Sequence, residues 1–175
     1  MARENLSGTM ELQAFLLRRV QDLLGQHGKK LAGWDEVSEG GGVAPEGALL
    51  MAWQKIEIGP ELASLGYDVV MCPGQAYYLD MAQSGAWLEP GLTWAGIAPP
   101  QKTYQFEAVA DFPPELAERM KGIQGCIWSE NMTSRQRFNH MVFPRLGAIA
   151  EAGWTQKANK SWTRFCAQAS MMPEL

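Results

Sequence analysis

The chain has 175 residues, of which 46% are hydrophobic and 19% charged, a length and composition typical of one folded domain and not of a disordered segment. Its formal net charge of −4, without a basic stripe, argues against a nucleic-acid partner. No apolar run reaches ~18 residues, so no membrane span is predicted.

A helix is predicted at the start of the chain, over residues 10–24. Ser7 or Thr9 is expected to cap this helix, and Gly25 is expected to end it. Apolar residues recur there at the spacing of one helix face, which is typical of an amphipathic helix. The apolar set is Leu12, Phe15, Leu16, Val20, Leu23 and Leu24.

Strand signals then alternate with helix signals along the chain. This alternation predicts an α/β fold with a parallel sheet and right-handed crossovers, and four such strands would make half of a (β/α)8 barrel. A long irregular segment at 73–112, rich in Pro, Gly and aromatic residues, is typical of a functional loop. The predicted strands are 30–34, 48–53, 68–72 and 123–128, and the predicted helices are 60–65, 114–120, 135–152 with a break at Pro144, and 162–169.

Three cysteines stand at wide spacings, which predicts neither a disulfide framework nor a metal site. Buried free thiols are the expectation for Cys72, Cys126 and Cys166. No glycine-rich phosphate loop opens a helix. The sequence predicts no metal and no cofactor. The polar opening residues predict no signal peptide, and the sequence predicts no particular compartment.

Aromatic residues recur at the carboxyl ends of the predicted strands. Trp34, Trp53 and Trp128 each close a strand, and the third strand leads to Tyr78 and Asp80. In parallel α/β folds these strand ends form the ligand-binding rim, so an aromatic-lined pocket is predicted. Aromatic faces and carboxylate acceptors together suit a carbohydrate, whose C–H faces pack on rings while its hydroxyls donate hydrogen bonds.

Each of these residues also has a structural interpretation. Trp34 and Trp53 could instead belong to the core. For Asp35 and Glu36, a loop salt bridge or a helix cap is favoured over catalysis. Three other tryptophans, which do not close a strand, are interpreted as packing residues: Trp87, Trp154 and Trp162.

Five short motifs occur in an order that resembles the C-terminal half of the catalytic barrel of family 20 glycoside hydrolases, the β-N-acetylhexosaminidases. The resemblance covers residues 12–165. It implies an α/β fold in which residues 1–175 form strands five to eight of a (β/α)8 barrel with their helices. The motifs are Gly33-Trp34-Asp35-Glu36, Tyr78-Leu79-Asp80, Trp94-Ala95-Gly96, Trp128-Ser129-Glu130 and Pro144-Arg145-Leu146 followed by Ala150-Glu151 and Trp154.

The resemblance implies hydrolysis of terminal N-acetylglucosamine or N-acetylgalactosamine with retention, the sugar's own acetamido oxygen acting as nucleophile. By resemblance Tyr78 stabilises that oxygen, and Asp80 and Glu130 accept hydrogen bonds from outer hydroxyls. The aromatic walls around the acetamido group and sugar face would be Trp34, Trp53 and Trp128, while Trp94 flanks the bound sugar. Arg145 and Glu151 match a helical motif interpreted as structural.

One departure from the family pattern concerns catalysis. The family's acidic Asp-Glu pair closes the fourth strand, in a His-x-Gly-Gly-Asp-Glu-like segment that would precede residue 1. Asp35-Glu36 is the only Asp-Glu dipeptide here, and it follows the Gly-Trp of the next strand. The isolated chain is therefore expected to be inactive.

Three functions remain open for the chain. It is part of an exo-β-N-acetylhexosaminidase, a non-catalytic carbohydrate-binding module, or a truncated fragment without activity. The expected partners are N-acetylhexosamine-terminated glycans, together with the complementary barrel half or a second copy of the chain. Self-association is expected because half a barrel leaves unpaired sheet edges.

Overall fold

The computed structural model describes residues 4–172, so Met1, Ala2 and Arg3, on which the expectation about a signal peptide partly rests, lie outside the described residues. The chain forms two compact units. The first comprises Met1–Met71 and Asp111–Gly122, and the second comprises Cys72–Ala110 and Ile123–Leu175.

The sheet contains four strands in the order β1-β2-β3-β4. β1 pairs with β2 in parallel, with Leu31 opposite Ala48, and β2 pairs with β3 in parallel, with Leu49 opposite Asp68. The α/β fold with a parallel sheet is therefore confirmed. The strands are β1 (Leu31–Trp34), β2 (Ala48–Ala52), β3 (Asp68–Met71) and β4 (Met120–Ile123).

In the first unit, helix α1 (Thr9–Gln26) confirms the amphipathic helix, but its predicted caps are wrong. Gly8 is the N-cap residue, and the Ser7 hydroxyl instead donates to the Glu11 carboxylate at 2.7 Å. Much of the apolar face is uncovered among the described residues, with Leu16 60% and Leu23 55% exposed. Helix α2 covers Ile58–Ser64, and 3₁₀ turns cover Asp35–Ser38 and Pro114–Arg119.

A glycine loop after β1 is held against α1 by hydrogen bonds. The Arg18 guanidinium donates to the Gly42 carbonyl at 2.8 Å, and the Gln21 amide donates to the Ala44 carbonyl at 2.8 Å. Gly40 has φ +62°, and a side chain there would strike the Met10 carbonyl. Glycine is thus required where the loop passes the start of the helix.

Five α-helices lie among the described residues of the second unit. The predicted break at Pro144 is confirmed, because α5 ends at Val142 and α6 begins at Arg145, and proline cannot continue a helix. The segment 73–112 is not wholly irregular as predicted, since it contains α3 and α4. The helices are α3 (Gly74–Tyr77), α4 (Pro100–Gln105), α5 (Arg135–Val142), α6 (Arg145–Trp154) and α7 (Trp162–Ala169).

The fourth strand lies earlier than the predicted range of 123–128. β4 ends at Ile123, and Cys126 instead forms an isolated parallel bridge with Tyr78. The Leu79 N–H donates to the Cys126 carbonyl at 2.8 Å, and the Cys126 N–H donates to the Tyr77 carbonyl at 2.9 Å. Cys126 therefore pairs with a segment that the sequence predicts to be irregular.

Two apolar clusters lie among the described residues of the second unit. One surrounds Tyr77, Val142 and Ile149, and the other contains Tyr104 and Phe165. α6 contributes to both clusters and so joins them. Burial of these side chains supplies the main stabilisation of the unit.

Two buried tyrosines give a matched test of hydrogen bonding in this fold. The Tyr67 hydroxyl donates to the Val43 carbonyl at 2.7 Å, whereas the buried Tyr77 hydroxyl has no hydrogen-bond partner within residues 4–172. We expect Tyr67→Phe to lower the free energy of unfolding by about 1 kcal/mol, and Tyr77→Phe to leave it unchanged or raise it by up to about 1 kcal/mol. Urea denaturation of the 175-residue chain measures both. Equal losses in the two variants would contradict this difference.

Candidate functional site

Three of the predicted site residues meet in the second unit. The Tyr78 ring is buried and lies edge-on to Trp94, with ring centroids 5.7 Å apart and an interplanar angle of 81°. The Trp128 ring lies 6.0 Å from Tyr78 at 56°. Both indoles are partly exposed, so the cluster presents aromatic surface to solvent around a buried phenol.

Local backbone features bring these rings together. Tyr78 follows the short helix α3, whose first residue is Gly74. A Cβ at Gly74 would lie 2.6 Å from the Trp94 ring, so the indole occupies space that only glycine leaves free. The Tyr78–Cys126 bridge lies two residues before Trp128, whose ring contacts that of Tyr78.

The Tyr78 hydroxyl stays protonated. Burial raises its pKa well above the ordinary value of 10.0, and the nearby thiols of Cys126 and Cys72 raise it further. A hydrogen bond with the Trp128 side chain opposes this shift, and the indole N–H must be its donor.

Asp80 is a buried acid close to this cluster in sequence. Its side chain is 3% exposed, and its Oδ1 has no hydrogen-bond partner within the described part of the chain. Burial raises the pKa of Asp80 and the charge of Glu130 raises it further, whereas its own backbone N–H and Arg145 lower it. The structure thus brings the charges of Asp80 and Glu130 within range of each other.

Arg145 fixes the backbone on both sides of Asp80. Its guanidinium is fully buried and donates to the carbonyls of Leu79 at 2.7 Å and Met81 at 2.8 Å. It also donates to the carbonyls of Ala98 and Met141. Burial lowers its pKa to about 10, so it remains a cation at neutral pH.

Arg145 was interpreted from the sequence as structural, and its contact with the Asp80 segment was missed. A lone arginine at the head of a mostly apolar helix was the available signal. A charge is rarely buried unless it is paired or hydrogen-bonded.

The remaining predicted site residues lie in the first unit. Trp34 ends β1, in register with Met51, and Trp53 follows the end of β2. Both side chains are half-buried, so they are neither core residues nor free surface residues. The carboxyl ends of two adjacent parallel strands therefore each carry an indole.

The favoured interpretation of Asp35 and Glu36 as a salt bridge or helix cap is wrong. Asp35 Oδ2 accepts a hydrogen bond from the Trp53 backbone N–H at 3.0 Å. The Glu36 carboxylate accepts from the Trp53 indole N–H at 3.1 Å. Both acids serve as acceptors for Trp53.

Two of the three tryptophans interpreted as packing residues are exposed. Trp87 is 96% exposed in the loop before Glu89, and Trp154 is 92% exposed at the end of α6. Trp162 does pack, with its ring 5.2 Å from Tyr104. Cys72 and Cys126 are buried as expected, but Cys166 is exposed.

Within residues 4–172, no cluster of three or more His, Cys, Asp or Glu side chains is arranged to hold a metal ion. Across the same residues, no helix combines the length and apolar character that crossing a bilayer requires.

Comparison with known proteins decides the family. The model of the glycosyl hydrolase family 20 catalytic domain matches residues 1–157. The chain belongs to glycosyl hydrolase family 20. It is 36% identical over 159 residues to a β-hexosaminidase of Vibrio furnissii, covering 90% of this chain and 26% of that protein. It is 35% identical over 167 residues to a β-hexosaminidase of Porphyromonas gingivalis, covering 94% of this chain and 21% of that protein.

A solved family 20 structure matches over nearly the whole chain. An exo-β-N-acetylglucosaminidase from Vibrio harveyi in complex with N-acetylglucosamine aligns with a TM-score of 0.88 and 36% identity, covering 97% of this chain and 27% of that one. The predicted fold class, parallel strands with their helices from a (β/α)8 barrel, is confirmed. The chain spans about a quarter of the length of the curated relatives named above.

The Asp80 environment predicts a pH-dependent effect on stability. The pKa of Asp80 in the folded chain lies above the ordinary value of 3.8. The stability that the Asp80 carboxyl contributes is therefore present below pH 3.8 and is lost as pH rises through the folded pKa. Asp80→Asn removes the buried charge and should raise the free energy of unfolding at pH 7 by about 1 kcal/mol or more. The gain should disappear in acid, where the Asp80 carboxyl itself is neutral.

Urea denaturation at pH 7 and at pH 3.5 measures the effect. Asp111→Asn, at an exposed aspartate, is the control and should change little at either pH. A loss of stability in Asp80→Asn at pH 7 would show that the buried charge is not unfavourable.

Proposed function

We propose that this chain supplies part of the sugar-binding site of an exo-β-N-acetylhexosaminidase, which removes terminal N-acetylglucosamine or N-acetylgalactosamine from glycans. The observation that carries the proposal is the buried Tyr78 ring in contact with two indoles, in a family 20 chain. The buried Oδ1 of Asp80, which has no hydrogen-bond partner within residues 4–172, supports the same conclusion.

The aromatic residues would pack on apolar parts of the sugar. Trp34, Trp53 and Trp128 are proposed as walls for the acetamido group and the sugar face, and Trp94 as the aromatic that flanks the bound sugar. An indole offers a large rigid surface with few rotatable bonds, so little conformational entropy is lost on contact. The partial exposure of the Trp94 and Trp128 rings is consistent with this role.

The polar residues would form hydrogen bonds with the hydroxyl and acetamido groups of the sugar. Asp80 and Glu130 are proposed to accept hydrogen bonds from outer ring hydroxyls, and a charged acceptor strengthens such bonds. Tyr78 is proposed to donate to the acetamido oxygen. Its raised pKa supports this assignment, because a phenol that keeps its proton remains a donor.

The proposed reaction is substrate-assisted and retains configuration. The acetamido oxygen attacks the anomeric carbon and forms an oxazolinium ion, while an acid protonates the leaving oxygen. Positive charge develops on the acetamido group, and Tyr78 would hold that group in place as it attacks. Water then opens the oxazolinium ion from the opposite side, giving net retention.

The proton donor is proposed to lie outside residues 1–175. Asp35 and Glu36 are both engaged in holding Trp53, which supports a non-catalytic role for this Asp-Glu pair. The complementary half of a family 20 catalytic domain, in the same polypeptide or in another, would then supply the acid. A non-catalytic sugar-binding module is the alternative for the chain acting by itself.

Sugar titrations of the purified 175-residue chain test the proposal. N-acetylglucosamine should bind at least about tenfold more tightly than glucose, because glucose lacks the acetamido oxygen that Tyr78 would bind. Tyr78→Phe should weaken N-acetylglucosamine binding about tenfold, while the neighbouring Tyr77→Phe, in the core, should not. Calorimetry measures these affinities, and a chromogenic N-acetylglucosaminide should not be hydrolysed.

Two outcomes would contradict parts of this proposal. Turnover by the chain alone would show that the acid lies within residues 1–175. No binding of either sugar would reject the sugar-binding site and leave the interpretation as a truncated fragment.

The exposed apolar face of α1 supports association with a partner, either the complementary barrel half or a second copy. Sedimentation velocity at micromolar concentration should detect self-association of the chain. Leu16→Glu should shift the population toward monomer with little loss of stability, since Leu16 is exposed. Gln13→Glu, at an exposed polar position on the same helix, is the control. A stable wild-type monomer would reject self-association.

A further inference from the structure

Two adjacent carboxylates hold one tryptophan from two directions. The Glu36 oxygens lie 3.2 and 3.1 Å from the Trp53 indole nitrogen, so the indole N–H donates to this carboxylate. Asp35 accepts from the Trp53 backbone N–H at 3.0 Å and from the Gln54 backbone N–H at 3.3 Å. The main chain and the ring of Trp53 are thus bound by consecutive residues.

Asp35 is itself held in place. Its Oδ1 accepts from the Gln54 side-chain amide at 2.8 Å, and the side chain is 3% exposed. Burial raises the pKa of Asp35, although the hydrogen bonds from Gln54 and Trp53 act to lower it. A buried carboxylate bound by three N–H donors is fixed in orientation, and so is the backbone that it binds.

The turn after β1 explains how neighbouring residues can both face Trp53. Consecutive side chains of a strand point to opposite faces, so two adjacent acids on an extended strand could not bind one residue. The 3₁₀ turn Asp35–Ser38 begins directly after β1 and brings both acids to the same side. The Ser38 hydroxyl closes this turn by donating to the Asp35 carbonyl at 2.7 Å.

Gly33 makes that turn possible. A Cβ at Gly33 would lie 2.6 Å from the Val37 side chain, so only glycine lets the turn fold back on the strand. The Gly33-Trp34-Asp35-Glu36 sequence therefore places two hydrogen-bond acceptors where they bind Trp53, at the end of the neighbouring strand.

We propose that Asp35 and Glu36 are positioning residues for Trp53, and that they set the preference for a 2-acetamido sugar over a 2-hydroxy sugar. Asp35 fixes the backbone where β2 ends, and Glu36 fixes the rotation of the indole. A ring that is already oriented loses little freedom when it contacts a ligand. The part concerning sugar preference rests on the proposed function, whereas the part concerning the indole does not.

The indole part is tested by nitrogen-15 NMR of the 175-residue chain, with Trp53→Phe used to assign the Trp53 indole signal. In Glu36→Ala, the indole proton should exchange with solvent about tenfold faster and its resonance should move, because a charged acceptor is lost. Glu36→Gln keeps a neutral acceptor and should give an intermediate result. Glu39→Ala removes the same charge at an exposed position three residues on and should change neither quantity.

If the exchange rate and the resonance of the Trp53 indole proton are unchanged in Glu36→Ala, the positioning role is overturned. If Glu36→Ala does not fold, as judged by circular dichroism, the Glu36→Gln comparison decides. An exchange rate in Glu36→Gln equal to that of the wild type and of Glu39→Ala would overturn the role in the same way.

Sugar preference is tested by the ratio of affinities for N-acetylglucosamine and glucose. Glu36→Ala should reduce this ratio about tenfold, Glu36→Gln should restore part of it, and Glu39→Ala should keep it. If the Trp53 indole proton exchanges faster in Glu36→Ala but the affinity ratio is unchanged, the proposed effect on sugar preference is overturned while the positioning role stands. If the wild-type chain binds neither sugar, the proposed function fails together with that link, and the indole measurement still decides the positioning role.

Discussion

The short parallel bridge between Tyr78 and Cys126 is the interaction on which the second unit's site depends. Its two backbone hydrogen bonds join segments that are far apart in sequence. The bridge joins the segment that carries Tyr78 and Asp80 to the segment that leads to Trp128 and Glu130. The Tyr78 and Trp128 rings lie 6.0 Å apart, and the charge of Glu130 raises the pKa of Asp80.

The sequence predicted the fold class well because its signals are local. Alternating strand and helix patterns indicated the parallel sheet, and Trp34 and Trp53 lie at the carboxyl ends of β1 and β2 as predicted, whereas Trp128 lies beyond the end of β4. The range of the fourth strand was wrong because pairing is not local: residues 124–128 look like a strand, yet β3 ends at Met71 and Cys126 pairs with Tyr78 instead. Periodicity also cannot say what covers a helix face, and Leu16 of α1 is exposed among the described residues.

Residue type alone did not separate the supporting acids from the candidate site acids. Asp35, Glu36, Asp80 and Glu130 all follow aromatic residues near predicted strand ends, and residue type does not say which of them accepts hydrogen bonds within the fold. The structure distinguishes two of them by hydrogen bonding. Asp35 accepts from three N–H groups, whereas Asp80 Oδ1 has no partner within residues 4–172.

That difference in hydrogen bonding changes the free energy that each acid could contribute to ligand binding. A buried carboxylate oxygen without a donor costs free energy in the ligand-free fold, and the Arg145 cation nearby offsets only part of that cost. A sugar hydroxyl that donates to Asp80 would remove the penalty on binding, so the feature that weakens the empty fold would strengthen the complex. Asp35 offers no such gain, because its acceptors are already used. Under the proposed function, the unsatisfied acid therefore binds the ligand, and the satisfied acid holds the backbone of Trp53.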